Sequence, residues 1–159
     1  MFSREAVILL KDIQGEKTLG ILESFFKSNA RPVHQGELLL GLPKAQVVSR
    51  KDGKPSHNYK LANDFDVTLF CTEHDVAPLS DHEYHLMEAV KSRQTRYGLF
   101  QKDMLDWGTK VKEGNIVRVT LPSKTPASSR SAVSVIRYVG PLPNEPGIKF
   151  GVEICVSNY

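Results

Sequence analysis

The side chains most able to bind a metal or transfer protons lie in one acidic part of the chain. His82 and His85 are three residues apart in a predicted helix, with Asp81 and Glu83 beside them and His74 nearby. Two histidines at this spacing can contact one metal ion, and a carboxylate could complete the set. However, no second pair of ligands appears elsewhere, and histidines in a first helical turn beside acids are usually solvated. We therefore expect neither a metal nor another cofactor.

Cys71 and Cys155 are the candidate nucleophiles. A catalytic thiol needs a helix N-terminus or a nearby cation to stabilise its thiolate. Cys71 instead ends an apolar stretch flanked by acids, and Cys155 has no basic neighbour in the sequence, so we interpret both as reduced core cysteines. The chain also lacks the P-loop, nucleophile-elbow, HExxH and dinucleotide-binding motifs. No catalytic residue is predicted.

Charge is unevenly distributed along the chain. Residues 1–60 carry a net charge of +4, residues 61–90 carry −7, and residues 91–159 carry +6. We expect the acidic middle to pack against the basic flanks. A nucleic-acid-binding protein more often shows one sustained basic face with interleaved aromatic residues. The strongest basic cluster comprises Arg50, Lys51, Lys54 and Lys60. We interpret it as a solvated loop. No nucleic-acid partner is therefore expected.

The composition is that of an ordinary globular protein. Of the 159 residues, 40% are hydrophobic and 25% are charged. No apolar run approaches the roughly 20 residues that span a bilayer, and Ala6–Leu10 is shorter than the apolar core of a signal peptide. These features favour a soluble protein without a membrane span, located in the cytoplasm.

Hydrophobic spacing predicts a mixed first half. Ala6–Ile13 is either a short buried strand or a helical turn, because periodicity cannot decide over so few residues. Leu19, Leu22 and Phe26 follow helical spacing, which predicts a helix that ends at Asn29.

A clear strand and a clear helix start follow. Residues 61–71 alternate as a strand does, with Phe65, Val67, Leu69 and Cys71 on one side. Ser80 and Glu83 form a capping box, which predicts a helix continuing to about Arg93. Trp107 and Gly108 are interpreted as a bend.

The last third has the pattern of three strands and their turns. The predicted strands are Ile116–Leu121, Val133–Val139 and Ile148–Ile154, joined as a meander. In the last one, Ile148, Phe150, Val152 and Ile154 alternate with Lys149, Gly151 and Glu153, which predicts one core face and one solvent face. Gly151 weakens the strand unless another group approaches it closely. We place a domain boundary near residues 105–112, giving domains 1–108 and 109–159.

The segment VIRYVGPLP…PGIKFGVEI resembles the opening of a CAP-Gly domain, a small β module. The wider chain is similar to the N-terminal region of the cylindromatosis deubiquitinase (CYLD) family, most strongly from Thr95 onward. The resemblance implies an α+β fold, with a mixed N-terminal domain followed by a partial SH3-like β-barrel. The matching residues are Ile136, Arg137, Tyr138, Gly140, Gly147, Phe150, Gly151, Val152, Glu153 and Ile154.

This resemblance also implies partners and contact residues. CAP-Gly domains bind acidic C-terminal tails of tubulin and of partner proteins, so a cytoskeletal association is expected. Tyr138, Lys149 and Phe150 are the implied peptide-binding residues. Lys149 would pair with a carboxylate, and the rings would bury an apolar side chain. The oligomeric state is not implied.

The chain departs from the family in one respect that leaves two functions open. CAP-Gly domains continue into a glycine-rich loop that carries much of the peptide grip, and this sequence shows no such loop and no ubiquitin-protease domain. Neither Cys71 nor Cys155 matches a catalytic position. We expect either a non-catalytic protein-interaction fragment of a CYLD-type deubiquitinase or an incomplete copy of that cysteine-type ubiquitin carboxyl-terminal hydrolase. An unrelated structural protein with a similar hairpin is the third alternative. The incomplete barrel predicts an open strand edge and marginal stability.

Overall fold

The computed structural model describes residues 5–41, 48–49, 55–125 and 129–155. Within these ranges the protein is an α+β fold with two antiparallel sheets and a layer of short helices. The larger sheet has the strand order β3-β2-β7-β6-β4-β1-β8, and β5 pairs with β6. Its strands are β1 (Ala6–Leu9), β2 (Ile13–Lys17), β3 (Ala30–Val33), β4 (Leu38–Gly41), β5 (Val48–Ser49), β6 (Pro55–Leu61), β7 (Asp64–Cys71) and β8 (Val76–Leu79).

The part of the larger sheet formed by β1, β4 and β8 is buried on both faces. One cluster of buried side chains draws every member from the sheet itself, including Val7, Leu39 and Leu69, so the sheet curves around it. The other face, which includes Ile8, packs against Met87 and other helical residues. Burial on both faces explains the continuous apolar run at residues 6–9, which forms a strand and not a helical turn.

β7 confirms the predicted alternation in part. Val67, Leu69 and Cys71 are completely buried, whereas Phe65 is 53% exposed because it lies near the start of the strand. Cys71 is therefore a core cysteine, as expected.

The helix predicted from Leu19, Leu22 and Phe26 is wrong. The structure has only a single 3₁₀ turn at Glu23–Phe25, and Phe26 is 87% exposed. A short segment with helical spacing is unstable unless its apolar side packs against something. No other part of the described structure covers Phe26.

Three helices follow β8 in the order α1 (Asp81–Glu88), α2 (Arg93–Gln101) and α3 (Met104–Lys110). The capping box is confirmed: Ser80 Oγ accepts from the Glu83 amide at 3.2 Å, and the Glu83 carboxylate accepts from the Ser80 amide at 2.7 Å. The predicted end of this helix is wrong, because Ser92 caps a new helix by accepting from the Thr95 amide.

Trp107 and Gly108 lie inside α3 and do not form the expected bend. None of the described helices has both the length and the apolar composition needed to cross a membrane.

The smaller sheet confirms the predicted meander. Its strands are β9 (Ile116–Leu121), β10 (Arg130–Pro141) and β11 (Ile148–Ile154), in the order β11-β10-β9. It packs on the helical layer at Gly147, where an added Cβ would lie 2.4 Å from the His85 carbonyl oxygen. Ile136 of β10 is buried, at 3% exposed. The expected domain boundary falls at the end of α3, and the two expected units contact each other at α1 and β11.

Two expectations about charge have different outcomes. The acidic middle does pair with the basic N-terminal flank, through Lys17 with Asp64 at 3.7 Å and through Lys11 with Asp75. Of the basic cluster, Arg50, Lys51 and Lys54 lie outside the described residues. Lys60 does not lie in a loop: it belongs to β6, and its ammonium donates to the Thr68 hydroxyl at 2.7 Å.

Candidate functional site

The β10–β11 hairpin positions all three side chains expected to bind a peptide. Its connector turns back at Asn144 and Gly147, which both have positive φ angles, of 62° and 76°. The pairing of the two strands shifts between Ile136 and Tyr138, so Arg137 is an extra residue on β10. Such a bulge reverses the face on which the following residues of that strand lie.

Tyr138 is held in one place by this hairpin. It lies directly opposite Gly151, and its hydroxyl donates a hydrogen bond to the Pro141 carbonyl. An added Cβ on Gly140 would lie 2.7 Å from the Tyr138 hydroxyl oxygen, and one on Gly151 would lie 3.0 Å from the Tyr138 Cβ. The two glycines therefore make room for the Tyr138 side chain. Tyr138 is therefore the group whose close approach accounts for a glycine within this strand. Its side chain is ordered by these contacts and remains 39% exposed.

Lys149 shares the face of Tyr138. It lies opposite Gly140, over which the Tyr138 side chain extends. The Lys149 ammonium forms an ion pair with Glu145 at 3.2 Å, while its own side chain is only 21% exposed. The neighbouring pair on this face joins Arg137 to Glu153 at 2.6 Å, and both of these side chains are well exposed. A cation and an aromatic ring thus lie side by side on one surface.

Phe150 lies on the opposite face. Side chains alternate along a strand, so Phe150 points away from the side of Lys149. It lines an apolar groove of about 140 Å³ between β11 and the helices, together with Leu86, Met87, Val90, Leu99, Met104, Leu105, Trp107 and Gly108. The structure therefore brings Tyr138 and Lys149 together and separates Phe150 from them.

The groove residues Met104 and Trp107 were missed by sequence reasoning. They are three residues apart in α3, and they are 40% and 53% exposed. Their spacing places both on one side of a helix. This spacing could have indicated an exposed apolar helix face, but Trp107 was interpreted as part of a bend, so no helix was predicted there.

The apolar side of β11 is only partly covered. Phe150, Val152 and Ile154 are between 37% and 42% exposed, although the alternation predicts a core face. α1 contacts β11, and Phe150 faces the helical residues of the groove, while Val152 and Ile154 remain partly in solvent. Cys155 follows this strand and is exposed, so its interpretation as a core cysteine is wrong.

The histidines of the acidic segment do not assemble into a site. His85 pairs with Glu88 at 3.2 Å and with Asp81 at 3.7 Å, and His74 contacts only Glu73 at the surface. Within residues 5–41, 48–49, 55–125 and 129–155, no group of three or more His, Cys, Asp or Glu side chains is arranged to hold a metal ion.

Comparison of the chain with protein-family models, curated proteins and solved structures finds no match.

Proposed function

We propose that this chain is a protein-interaction region of the CYLD type, whose β9–β10–β11 sheet corresponds to part of a CAP-Gly module. In this proposal the sheet binds the acidic C-terminal tail of a partner protein across its Tyr138 face. The observation that carries the proposal is that Tyr138 is ordered beside Lys149 while remaining exposed. An aromatic ring that is already ordered loses little conformational entropy when a ligand packs on it.

The contacts within the chain suggest how the acidic peptide is held. Glu145 supplies the carboxylate that Lys149 now contacts, and the Glu145 side chain is 55% exposed. A peptide carboxylate can therefore replace Glu145 without a rearrangement of the strand. The Tyr138 ring would then pack against the apolar or aromatic side chain next to that carboxylate.

Charge favours an acidic partner at this surface. Residues 91–159 carry eleven Lys or Arg against five Asp or Glu, a net charge of +6. Arg118 of β9 lies on the Tyr138 face, opposite Val133, and its guanidinium donates to the Ser131 hydroxyl at 3.3 Å. A basic surface accelerates the encounter with an acidic peptide and makes binding sensitive to salt.

Calorimetric titration with a peptide that is acidic and ends in an aromatic residue tests this proposal. We expect Lys149→Glu to weaken binding by about tenfold or more, because it replaces an attraction by a repulsion. Tyr138→Ala should also weaken binding. The matched control is Lys102→Glu, which reverses an exposed charge at the end of α2 and should leave affinity unchanged. Absence of binding by the intact chain at low salt would remove the proposal.

The fluorescence of Trp107 distinguishes binding on the Tyr138 face of the sheet from binding on the Phe150 face. It is the one tryptophan in the sequence, and it lines the groove on the Phe150 side. A peptide on the Tyr138 face should leave the Trp107 emission spectrum unchanged. A shift of that spectrum on saturation would place the peptide in the apolar groove and contradict the proposed site.

A further inference from the structure

β11 has an open edge in the described structure. It pairs with β10 on one side and has no strand on the other within the described ranges. Open edges carry unpaired amide and carbonyl groups, and proteins usually protect them with proline, charged side chains or very short strands. The two charges of β11, Lys149 and Glu153, are opposite in sign, so they repel a second copy of the strand only in registers that bring like charges together. β11 runs for seven residues without proline. Its edge is therefore suited to pairing with another strand.

The apolar and charged residues of β11 are arranged symmetrically around Gly151. Around Gly151, the order is Ile-Lys-Phe-Gly-Val-Glu-Ile. Antiparallel pairing of two such strands, centred on Gly151, places Ile148 opposite the partner's Ile154 and Phe150 opposite the partner's Val152. It also places Lys149 opposite the partner's Glu153, and the symmetry repeats each of these pairs.

We propose that β11 pairs with β11 of a second copy of this chain, around a two-fold axis at Gly151. The two three-stranded sheets then join into one antiparallel sheet with a closed, self-complementary interface. Opposite charges directly across two strands stabilise pairing, and like charges weaken it. Centring the pair on Phe150 would set Lys149 against the partner's Gly151, and centring it on Lys149 would set two lysines against each other.

The monomer is already prepared for this arrangement. Lys149 contacts Glu145, and Glu153 contacts Arg137, so both charges are ordered on the same side of the strand. Glu145 and Arg137 are 55% and 59% exposed, which leaves room for a second charge at each pair. On the other side, the exposed Phe150, Val152 and Ile154 would join the partner's apolar residues in one stripe.

Sedimentation over a range of protein concentrations tests the pairing. We expect a monomer–dimer equilibrium for the intact chain, and a dimer dissociation constant raised about tenfold or more by either Lys149→Glu or Glu153→Lys, because each places like charges opposite each other twice. The double variant swaps the two charges and should return the constant close to its original value. The matched control, Arg118→Glu on the β9 edge, should leave it unchanged.

Three sedimentation results would overturn the proposal. They are a monomer at every concentration, single variants that dimerise as the intact chain does, and a double variant no better than the single ones. Amide exchange gives an independent check: protection of β11 should increase with protein concentration, while protection of β9 should not. Concentration-independent exchange at β11 would also overturn it. Dimerisation is read out without peptide, so this result stands apart from the outcome of the peptide titration.

Discussion

The Arg96 guanidinium donates a hydrogen bond to the Glu37 carboxylate across 3.0 Å, although the two residues are 59 positions apart. Arg96 also donates to the carbonyls of Gly36 at 2.8 Å and Val90 at 2.7 Å, and it is only 8% exposed. One buried side chain of α2 thus joins the turn before β4 to the connection between α1 and α2. This contact fixes the layer against which the β11 sheet packs.

We expect Arg96→Ala to lower the free energy of unfolding by about 2–4 kcal/mol, because it leaves a carboxylate and two carbonyls without their donor. Arg96→Lys should recover little of this loss, since one ammonium cannot reproduce the planar fork of the guanidinium. Urea unfolding measures both variants. Thr95→Ala, an exposed position on the same helix, should change stability by less than about 0.5 kcal/mol. An Arg96→Ala protein as stable as the Thr95→Ala control would show that the Arg96 contacts do not stabilise the fold.

Stability should depend on Asp75 at acid pH. Burial acts to raise the pKa of Asp75, but hydrogen bonds from Lys11 and from Thr72 outweigh it and hold the pKa below its usual 3.8. A carboxyl with a lowered folded-state pKa stabilises the protein above pH 3.8, and this contribution is lost as the pH falls through the lower folded-state value.

Unfolding of Asp75→Asn, measured beside the original protein from neutral pH downwards, checks this dependence. The asparagine keeps an oxygen to accept from the Thr72 amide, which now donates to Asp75 at 2.7 Å. The variant should be less stable at pH 7, and the gap should narrow once the pH falls below 3.8. A gap that stays constant down to low pH would show that Asp75 does not act through its charge.

Gly147→Ala should separate β11 from α1. Gly147 has a φ of 76°, and an added Cβ would lie 2.4 Å from both the Ala89 amide nitrogen and the His85 carbonyl oxygen. We expect a loss of about 2 kcal/mol or more in thermal or urea unfolding, because strain and a backbone clash combine. The control is Gly98→Ala within α2, where a Cβ meets nothing within 4 Å. That change should stabilise the protein by about 0.5–1 kcal/mol.

Gly140→Ala should weaken peptide binding without unfolding the sheet. The new Cβ would lie 2.7 Å from the Tyr138 hydroxyl oxygen, so the ring must move and lose its bond to the Pro141 carbonyl. We expect affinity to fall by about threefold to tenfold, with a stability loss near 1 kcal/mol. Tyr138→Phe keeps the ring and should reduce affinity less. Equal affinity for Gly140→Ala and the original protein would argue against a role for the ordered ring.

The smaller sheet could be predicted from sequence, and the grouping of its side chains could not. The bounds of β9 and β11 follow from local alternation between glycine and proline connectors. The bulge at Arg137 depends on which residue of β11 lies opposite, and this pairing is not visible in one strand alone. The resemblance grouped Phe150 with Tyr138 and Lys149, although alternation along β11 separates Phe150 from Lys149.

The N-terminal part shows the same limit. Ala6–Leu9 is a strand because both sheet faces are covered, and the segment at residues 19–26 is not a helix because nothing covers it. Both outcomes depend on tertiary packing, which overrides local spacing. Arg96 gave no local signal of burial, since its partner Glu37 lies far away in the sequence.

Amide chemical-shift mapping tests the proposed peptide face most directly. Titration of the labelled protein with a peptide that is acidic and ends in an aromatic residue should shift the amide signals of Gly140, Lys149 and Gly151, which surround the Tyr138 ring. The Trp107 indole signal, on the other face, should not move. Saturable shifts confined to the Tyr138 face are the predicted result. No shifts, or shifts centred on Trp107 and Phe150, would contradict the account.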